Sequence, residues 1–179
     1  KALQPLREAV PSELIIADTG SDDGTREIAE KYADLVFDFP WINDFAAARN
    51  SVLDRANGEW FLTVDADEYL DEDCTEIVGY LSHPQLWKHN FCGVIIRNYG
   101  SADLSGSYSD FLAVRMARMS FGARYTGAIH EMWTNSDGAQ IYGHRRTVFH
   151  HDGYVGLGTE KGAAKRKRNM DLLKEHLKE

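Results

Sequence analysis

Short apolar runs alternate with helical patterns over the first two thirds of the chain. Leu3 to Val10 reads as an opening helix, and Leu14-Ile15-Ile16-Ala17 as a strand that ends at Asp18. Thr19-Gly20-Ser21-Asp22-Asp23-Gly24 follows as a turn-rich loop, built from residues that tolerate left-handed backbone or cap helices. Thr25 to Tyr32 has a helical pattern with Ile28 and Ala29 inward, and Leu35-Val36-Phe37 is a second strand. A helix from Phe45 to Ala56, with Asp44 at its N-cap and Asn57-Gly58 as its closing turn, leads to a third strand, Trp60 to Val64. That strand is apolar throughout, as burial on both faces requires. Strand, helix, strand, helix, strand predicts an α/β fold with a parallel sheet flanked by helices. Right-handed crossovers bring strand C-termini to one edge, where such sheets bind ligands, so Asp18 and Asp65 are expected there together.

Beyond Gly93 the pattern changes. Val94-Ile95-Ile96, Phe111 to Met116 and Ile141 to His151 are strand-like and separated by Gly- and Ser-rich stretches with no long helix, which predicts a mixed or antiparallel extension. Residues 1–158 are expected to form one domain. Residues 159–179 form a charged C-terminal helix, leading on to a further region, whose stripe of Met170, Leu173 and Leu177 needs a surface to dock on.

Composition narrows the function classes. The 179 residues, 43% hydrophobic and 11% aromatic, suffice for one well-filled core. Twenty Lys and Arg against 28 Asp and Glu leave a net charge of -8, which argues against general nucleic-acid binding. The run Lys165-Arg166-Lys167-Arg168 is then a solvated helix face or a phosphate-facing patch. Cys74 and Cys92 are too few for a disulfide framework and read as reduced thiols of a cytoplasmic protein. No apolar run approaches the ~20 residues of a membrane span, and no signal peptide is visible. The start at Lys1, without an initiator Met, suggests a piece of something longer.

The chemistry concentrates after the third strand. Residues 65 to 73, Asp-Ala-Asp-Glu-Tyr-Leu-Asp-Glu-Asp, hold six carboxylates in nine positions. In extended backbone Asp65 and Asp67 face the same way, and carboxylates so close repel unless a cation lies between them. Hard oxygen ligands with room for water and phosphate suit magnesium or manganese. Asp71, Glu72 and Asp73 are better explained as favourable charges at the next helix N-terminus.

These residues resemble family 2 glycosyltransferases of the GT-A (nucleotide-diphospho-sugar transferase) fold. Leu14 to Thr25 resembles the family's second-strand signature, Ala48-Arg49-Asn50 its helix motif, and Gly58-Glu59-Trp60 into Asp65-Ala66-Asp67-Glu68 its strand leading to the Asp-X-Asp motif. Tyr125-Thr126-Gly127-Ala128-Ile129-His130-Glu131 and His151-Asp152-Gly153-Tyr154 extend the likeness more loosely. Two departures stand out. The family's first strand, which precedes the opening helix, is absent, and Thr19 stands where many members carry an acid.

The resemblance implies metal-dependent, inverting transfer of a sugar from a nucleotide-sugar, commonly UDP-linked, to an acceptor that is a glycan, a lipid-linked glycan or a protein. Cytoplasmic placement follows, in the cytoplasm at large or at the inner face of a membrane. Asp18, Thr19, Asp44, Arg49 and Asp65 then contact the nucleotide-sugar, although Asp44 is equally explained as an N-cap. Asp67, Asp65 and His151 hold the manganese or magnesium ion, with His150 on the opposite strand face a weaker choice. Glu131 is the general base, with His130 orienting it or contacting phosphate, and Asp110 is the alternative base. Trp41, Trp87 and Trp133 are candidates for stacking on sugar or base, with core packing the better account of Trp87. Two competing classes are a catalytically silent sugar-nucleotide binding domain and a glycoside hydrolase. The hydrolase is disfavoured because Asp65 and Asp67 are too close in sequence to flank a glycosidic bond.

Overall fold

The computed structural model describes residues 3–100, 107–134, 141–151 and 160–176. The chain begins with helix α1 (Gln4–Ala9), strand β1 (Ile15–Asp18), helix α2 (Thr25–Tyr32), strand β2 (Leu35–Asp38) and helix α3 (Phe45–Leu53). Strands β3 (Trp60–Leu62) and β4 (Glu68–Leu70) follow, then helix α4 (Thr75–Leu81) and the two long strands β5 (Phe91–Tyr99) and β6 (Tyr108–Arg118). Short strands β7 (Arg124–Thr126) and β8 (Met132–Thr134), strand β9 (Ile141–His151) and helix α5 (Glu160–His176) complete the described elements.

The predicted elements form, but the third strand pairs differently. β1 and β2 make their own parallel two-stranded sheet. β3 instead joins a five-stranded sheet of order β3-β6-β5-β9-β4, running antiparallel to β6 with Trp60 opposite Arg118. That sheet is mixed, with β5 and β9 parallel and its other pairs antiparallel. β3 is half-buried rather than covered on both faces, and at the sheet edge it exchanges ladder bonds with β6 alone.

The core lies between this sheet and α4. Cys92, Val94 and Ile96 of β5, Met116 of β6 and Phe149 of β9 pack with Leu70, Ile77, Tyr80 and, from α1, Leu6. The apolar run of β5 reflects its central position, with neighbours on both sides. Trp87 packs on this core and donates its indole N–H to the Tyr80 carbonyl at 2.9 Å, as its core role requires. Both cysteines are free and buried, and burial pushes the Cys92 thiol up to about 11.

Two helix faces differ from expectation. In α2, Ala29 is buried but Ile28 is 58% exposed, since β1 and β2 offer only a narrow surface to cover. In α5, Leu172 is buried and Leu173 half-buried, whereas Met170 is 51% exposed; Leu177 lies outside the described residues. The docked stripe is therefore rotated from the predicted one. On the same helix the Arg168 guanidinium lies over the rings of Trp41 and Phe45, 5.6 and 5.4 Å from their centroids. Arg166 and Lys167 remain exposed.

Candidate active site

Helix α3 organises the site. Asp44 caps it, accepting from the Ala47 amide at 2.8 Å, while the Phe45 amide donates to the Ala128 carbonyl at 2.9 Å. One turn later Asn50 donates to the Tyr125 carbonyl and accepts from the Tyr125 amide, both at 2.9 Å. Ala46 and Leu53, on the buried side of the helix, pack against the Tyr125 ring, whose hydroxyl meets Thr63 Oγ1 at 2.6 Å. Burial pushes the Tyr125 hydroxyl up to about 12. The 125–131 segment is thus fastened to α3 at three points.

Gly127 permits the turn that follows, at φ +95°, where a side chain would be strained. His130 also adopts left-handed backbone, φ +56°, a conformation that costs a non-glycine residue about 1 kcal/mol or more. This turn delivers Glu131 to Arg49. Arg49 Nε donates to Glu131 Oε1 at 2.6 Å, and its Nη2 donates to Asp65 Oδ1 at 2.9 Å. Burial opposes the Arg49 charge, but Asp65 and Glu131 outweigh it and raise its pKa.

Asp65 and Asp67 do not lie on extended backbone. Residues 65–68 form a turn in which the Glu68 amide donates to the Asp65 carbonyl and Glu68 Oε2 accepts from the Asp65 amide, both at 3.0 Å. The two carboxylates therefore serve different partners. Asp65 Oδ2 accepts from Arg115 at 3.0 Å, so Arg49 and Arg115 hold one oxygen each. Burial would raise the Asp65 pKa, but the two guanidiniums hold it below its ordinary value. Asp67 Oδ2 lies 3.3 Å from Nε2 of His151. Among the described residues no three His, Cys, Asp or Glu side chains converge on one point, so the expected trio of Asp65, Asp67 and His151 resolves into a pair, Asp67 with His151.

Arg115 and Glu68 complete the cluster. The Glu68 carboxylate is 2% exposed, pairs with Arg115, and is raised by that burial despite the cation. Arg115 Nε is buried with no hydrogen-bond partner among the described residues. Sequence reasoning missed Arg115. The available signal was an arginine inside the apolar run Phe111 to Met116, where a charge is tolerated only with a partner.

Other expected residues sit elsewhere in the arrangement. Asp18 accepts from the Gly20 and Ser21 amides and from Ser21 Oγ in its own loop and lies 4.0 Å from Arg26 of α2; the Ser21 bonds above all hold its pKa low. Thr19 and His130 are exposed. His150 does face away from His151, bonding Asp71 and Tyr99 and stacking on Tyr69. Asp71 thereby serves β9 as well as the loop before α4, where it accepts from the Asp73 amide. Asp110 is held by both oxygens to Arg97, its cross-strand partner on β5. Trp133 packs against Phe61, Phe91 and Tyr125, which fits a core role. Asp152, Gly153 and Tyr154 lie outside the described residues.

A mixed α/β domain whose helix α3, acidic turn and late loop meet in one charged cluster is the class defined so far. Residues 4–127 match the family model of glycosyl transferase family 2, and the chain belongs to that family. The glycosyltransferase SunS of the SPbeta prophage in Bacillus subtilis is 25% identical over 170 residues, 93% of this chain and 39% of that protein. A TPR repeat-containing protein of Synechococcus elongatus is 43% identical over 74 residues, covering 41% of this chain and 18% of the relative. The lipopolysaccharide core biosynthesis glycosyltransferase LpsC of Rhizobium meliloti is 31% identical over 75 residues, 39% of this chain and 27% of that one. The chain thus spans well under half the length of these relatives. A crystal structure of S. aureus TarS 1-349 in complex with UDP superposes with a TM-score of 0.42 at 23% identity, covering 54% of this chain and 31% of that one.

Proposed function

We propose that this chain transfers a sugar from a nucleotide-sugar, UDP-linked by preference, to an acceptor hydroxyl with inversion, assisted by a divalent ion. The observation that carries the reading is Arg49, which joins Asp65 of the acidic turn to Glu131 of the late loop. Residues 82 positions apart are thereby held at one place on family-typical segments.

Among the described residues charge balance, rather than a complete set of converging ligands, is what supports a divalent cation. Four carboxylates, Asp65, Asp67, Glu68 and Glu131, stand against two guanidiniums, Arg49 and Arg115, which leaves two negative charges over when all are ionised. Asp67 and His151 would hold the ion, and an imidazole beside a carboxylate suits manganese better than magnesium. When bound, the ion would stabilise the charge that develops on the departing diphosphate. Asp65 retains lone pairs beyond those given to the arginines and accepts from a donor hydroxyl. Glu131, held by Arg49, takes the proton of the attacking hydroxyl. Exposed His130 contacts donor phosphate, and Asp18 and Thr19 lie toward the base. Asp44 acts through α3, as its cap.

The test is thermal shift with UDP, manganese and both, followed by turnover on a panel of nucleotide-sugars. Joint stabilisation and transfer are expected; no stabilisation by any nucleotide with any divalent ion would overturn the reading. The alternative, a silent sugar-nucleotide binding domain, is favoured by the engagement of Glu131 Oε1 with Arg49. Binding without transfer or donor hydrolysis would select it.

A further inference from the structure

We propose that the open end of the β5–β6 hairpin is the acceptor subsite, and that the acceptor it takes is an uncharged saccharide. The proposal rests on the transferase reading above and narrows its acceptor. A cleft of about 440 Å³ lies there, lined by Asn98, Tyr99, Gly100, Ser107, Tyr108 and Ser109. That volume is within the range of about 300–1,000 Å³ common to small-ligand sites. Strand register ties the cleft to the charged cluster. Ser109 of β6 is paired with Asn98 of β5, Asn98 with His151 of β9, and His151 with Glu68 of β4. Paired residues leave a sheet on the same face, so these four form one row across four strands. Ser109 and Asn98 line the cleft, while His151 and Glu68 belong to the site. Asn98 joins the two halves, its Oδ1 2.6 Å from His151 Nδ1. A ligand in the cleft is thereby set beside the Asp67–His151 pair.

The chemistry of the surroundings selects the ligand class. Phe111 lies two residues beyond Ser109 on β6 and so on the same face. Its row partners Ile96, Phe149 and Leu70 are buried, whereas Phe111 is 50% exposed. A sugar ring has an apolar C–H face and a rim of hydroxyls. Phe111 offers an aromatic surface to the first, and the hydroxyls of Ser107 and Ser109 with the Asn98 amide offer hydrogen bonds to the second. None of the six lining residues carries a charge. Arg97, the cation of β5, faces the other side of the sheet and is held by both oxygens of Asp110. The adjoining cluster has an excess of carboxylates, so an anionic acceptor meets repulsion without a cation to offset it. A peptide adding to β6 as a strand needs pockets for alternate side chains, and a single ring beside serines does not supply that series.

The experiment applies the whole chain, with UDP and manganese present, to an array of neutral glycans and to an array of uncharged peptides containing Ser and Thr. Binding to glycans is expected, and the best-bound glycan is then titrated by NMR. Phe111→Ala should weaken it about tenfold, Phe111→Trp should retain it, and Ser107→Trp, which fills the cleft, should abolish it. Both positions are exposed, so the variants keep the fold and their affinity for UDP. With a nucleotide-sugar that supports transfer, Phe111→Ala should raise the acceptor KM and leave kcat and the donor KM near wild type. Binding of peptides in place of glycans, or glycan affinity unchanged in both Phe111→Ala and Ser107→Trp, would overturn the proposal. Donor hydrolysis with no glycan bound would also overturn it, while leaving the transferase reading intact. Glycan binding that depends on Phe111, without transfer or hydrolysis of any nucleotide-sugar, would instead remove the transferase reading and keep the saccharide site.

Discussion

Asn50 meets Tyr125 as a neighbouring strand would, its side-chain amide taking both the N–H and the C=O of one residue at 2.9 Å. This contact explains why an asparagine follows Arg49. Asn50 anchors the segment that carries Glu131, and Arg49 then meets that carboxylate. Asn50→Ala should leave two part-buried backbone groups unpaired and cost about 1–3 kcal/mol each. Chemical denaturation measures the loss. A change below half a kcal/mol would mean the segment is held without it.

The Arg115–Glu68 pair should behave as a buried ion pair. Removing one partner, as in Arg115→Met, strands a buried carboxylate and should cost about 3–5 kcal/mol. Arg115→Met with Glu68→Leu should recover much of that stability, because no charge is left unpaired. A double-mutant cycle in urea checks the coupling, and simple additivity of the two losses would contradict it.

Asp67→Ala should abolish manganese-dependent nucleotide binding while the fold persists, because Asp67 is partly exposed at a turn and its loss exposes no core. Calorimetric titration of UDP with and without manganese makes the comparison. Unchanged manganese dependence would remove Asp67 from the metal assignment.

Glu131→Gln keeps an oxygen for Arg49 Nε but cannot take up a proton, so donor affinity should persist while transfer falls about 10²–10⁴-fold. His151→Ala should weaken metal-dependent donor binding as well as rate. Equal losses of rate alone in both variants would not fit these separate roles.

Acid should weaken the cluster. The pKa of Asp65 is lowered in the folded chain, by Arg115 and Arg49 acting against its burial. Its contribution is therefore present above the unfolded value, about pH 4, and is lost as pH falls through the lower folded value. The difference in melting temperature between wild type and Asp65→Asn should shrink below about pH 4. A difference that stays constant down to pH 2 would exclude this linkage.

Sequence periodicity by itself determined most of the local structure. Thr25–Tyr32 is helical over the predicted residues, and the apolar runs of β1, β2, β5 and β9 are strands. Those patterns report which face of an element is covered, and covering requires only the element and a core. Short motifs carried the family, because Ala48-Arg49-Asn50 and Asp65-Ala66-Asp67 keep order and spacing along the chain. Tertiary structure decided what periodicity does not encode. β3 pairs with β6 instead of β1, since strand partners are chosen by long-range contacts. The 65–68 turn breaks the alternation that would have aimed Asp65 and Asp67 alike, sending one to two arginines and the other to a histidine. Arg115 stood out only as a charge within an apolar run; its carboxylate partners lie 47 and 50 positions away, and only folding brings their charges within reach.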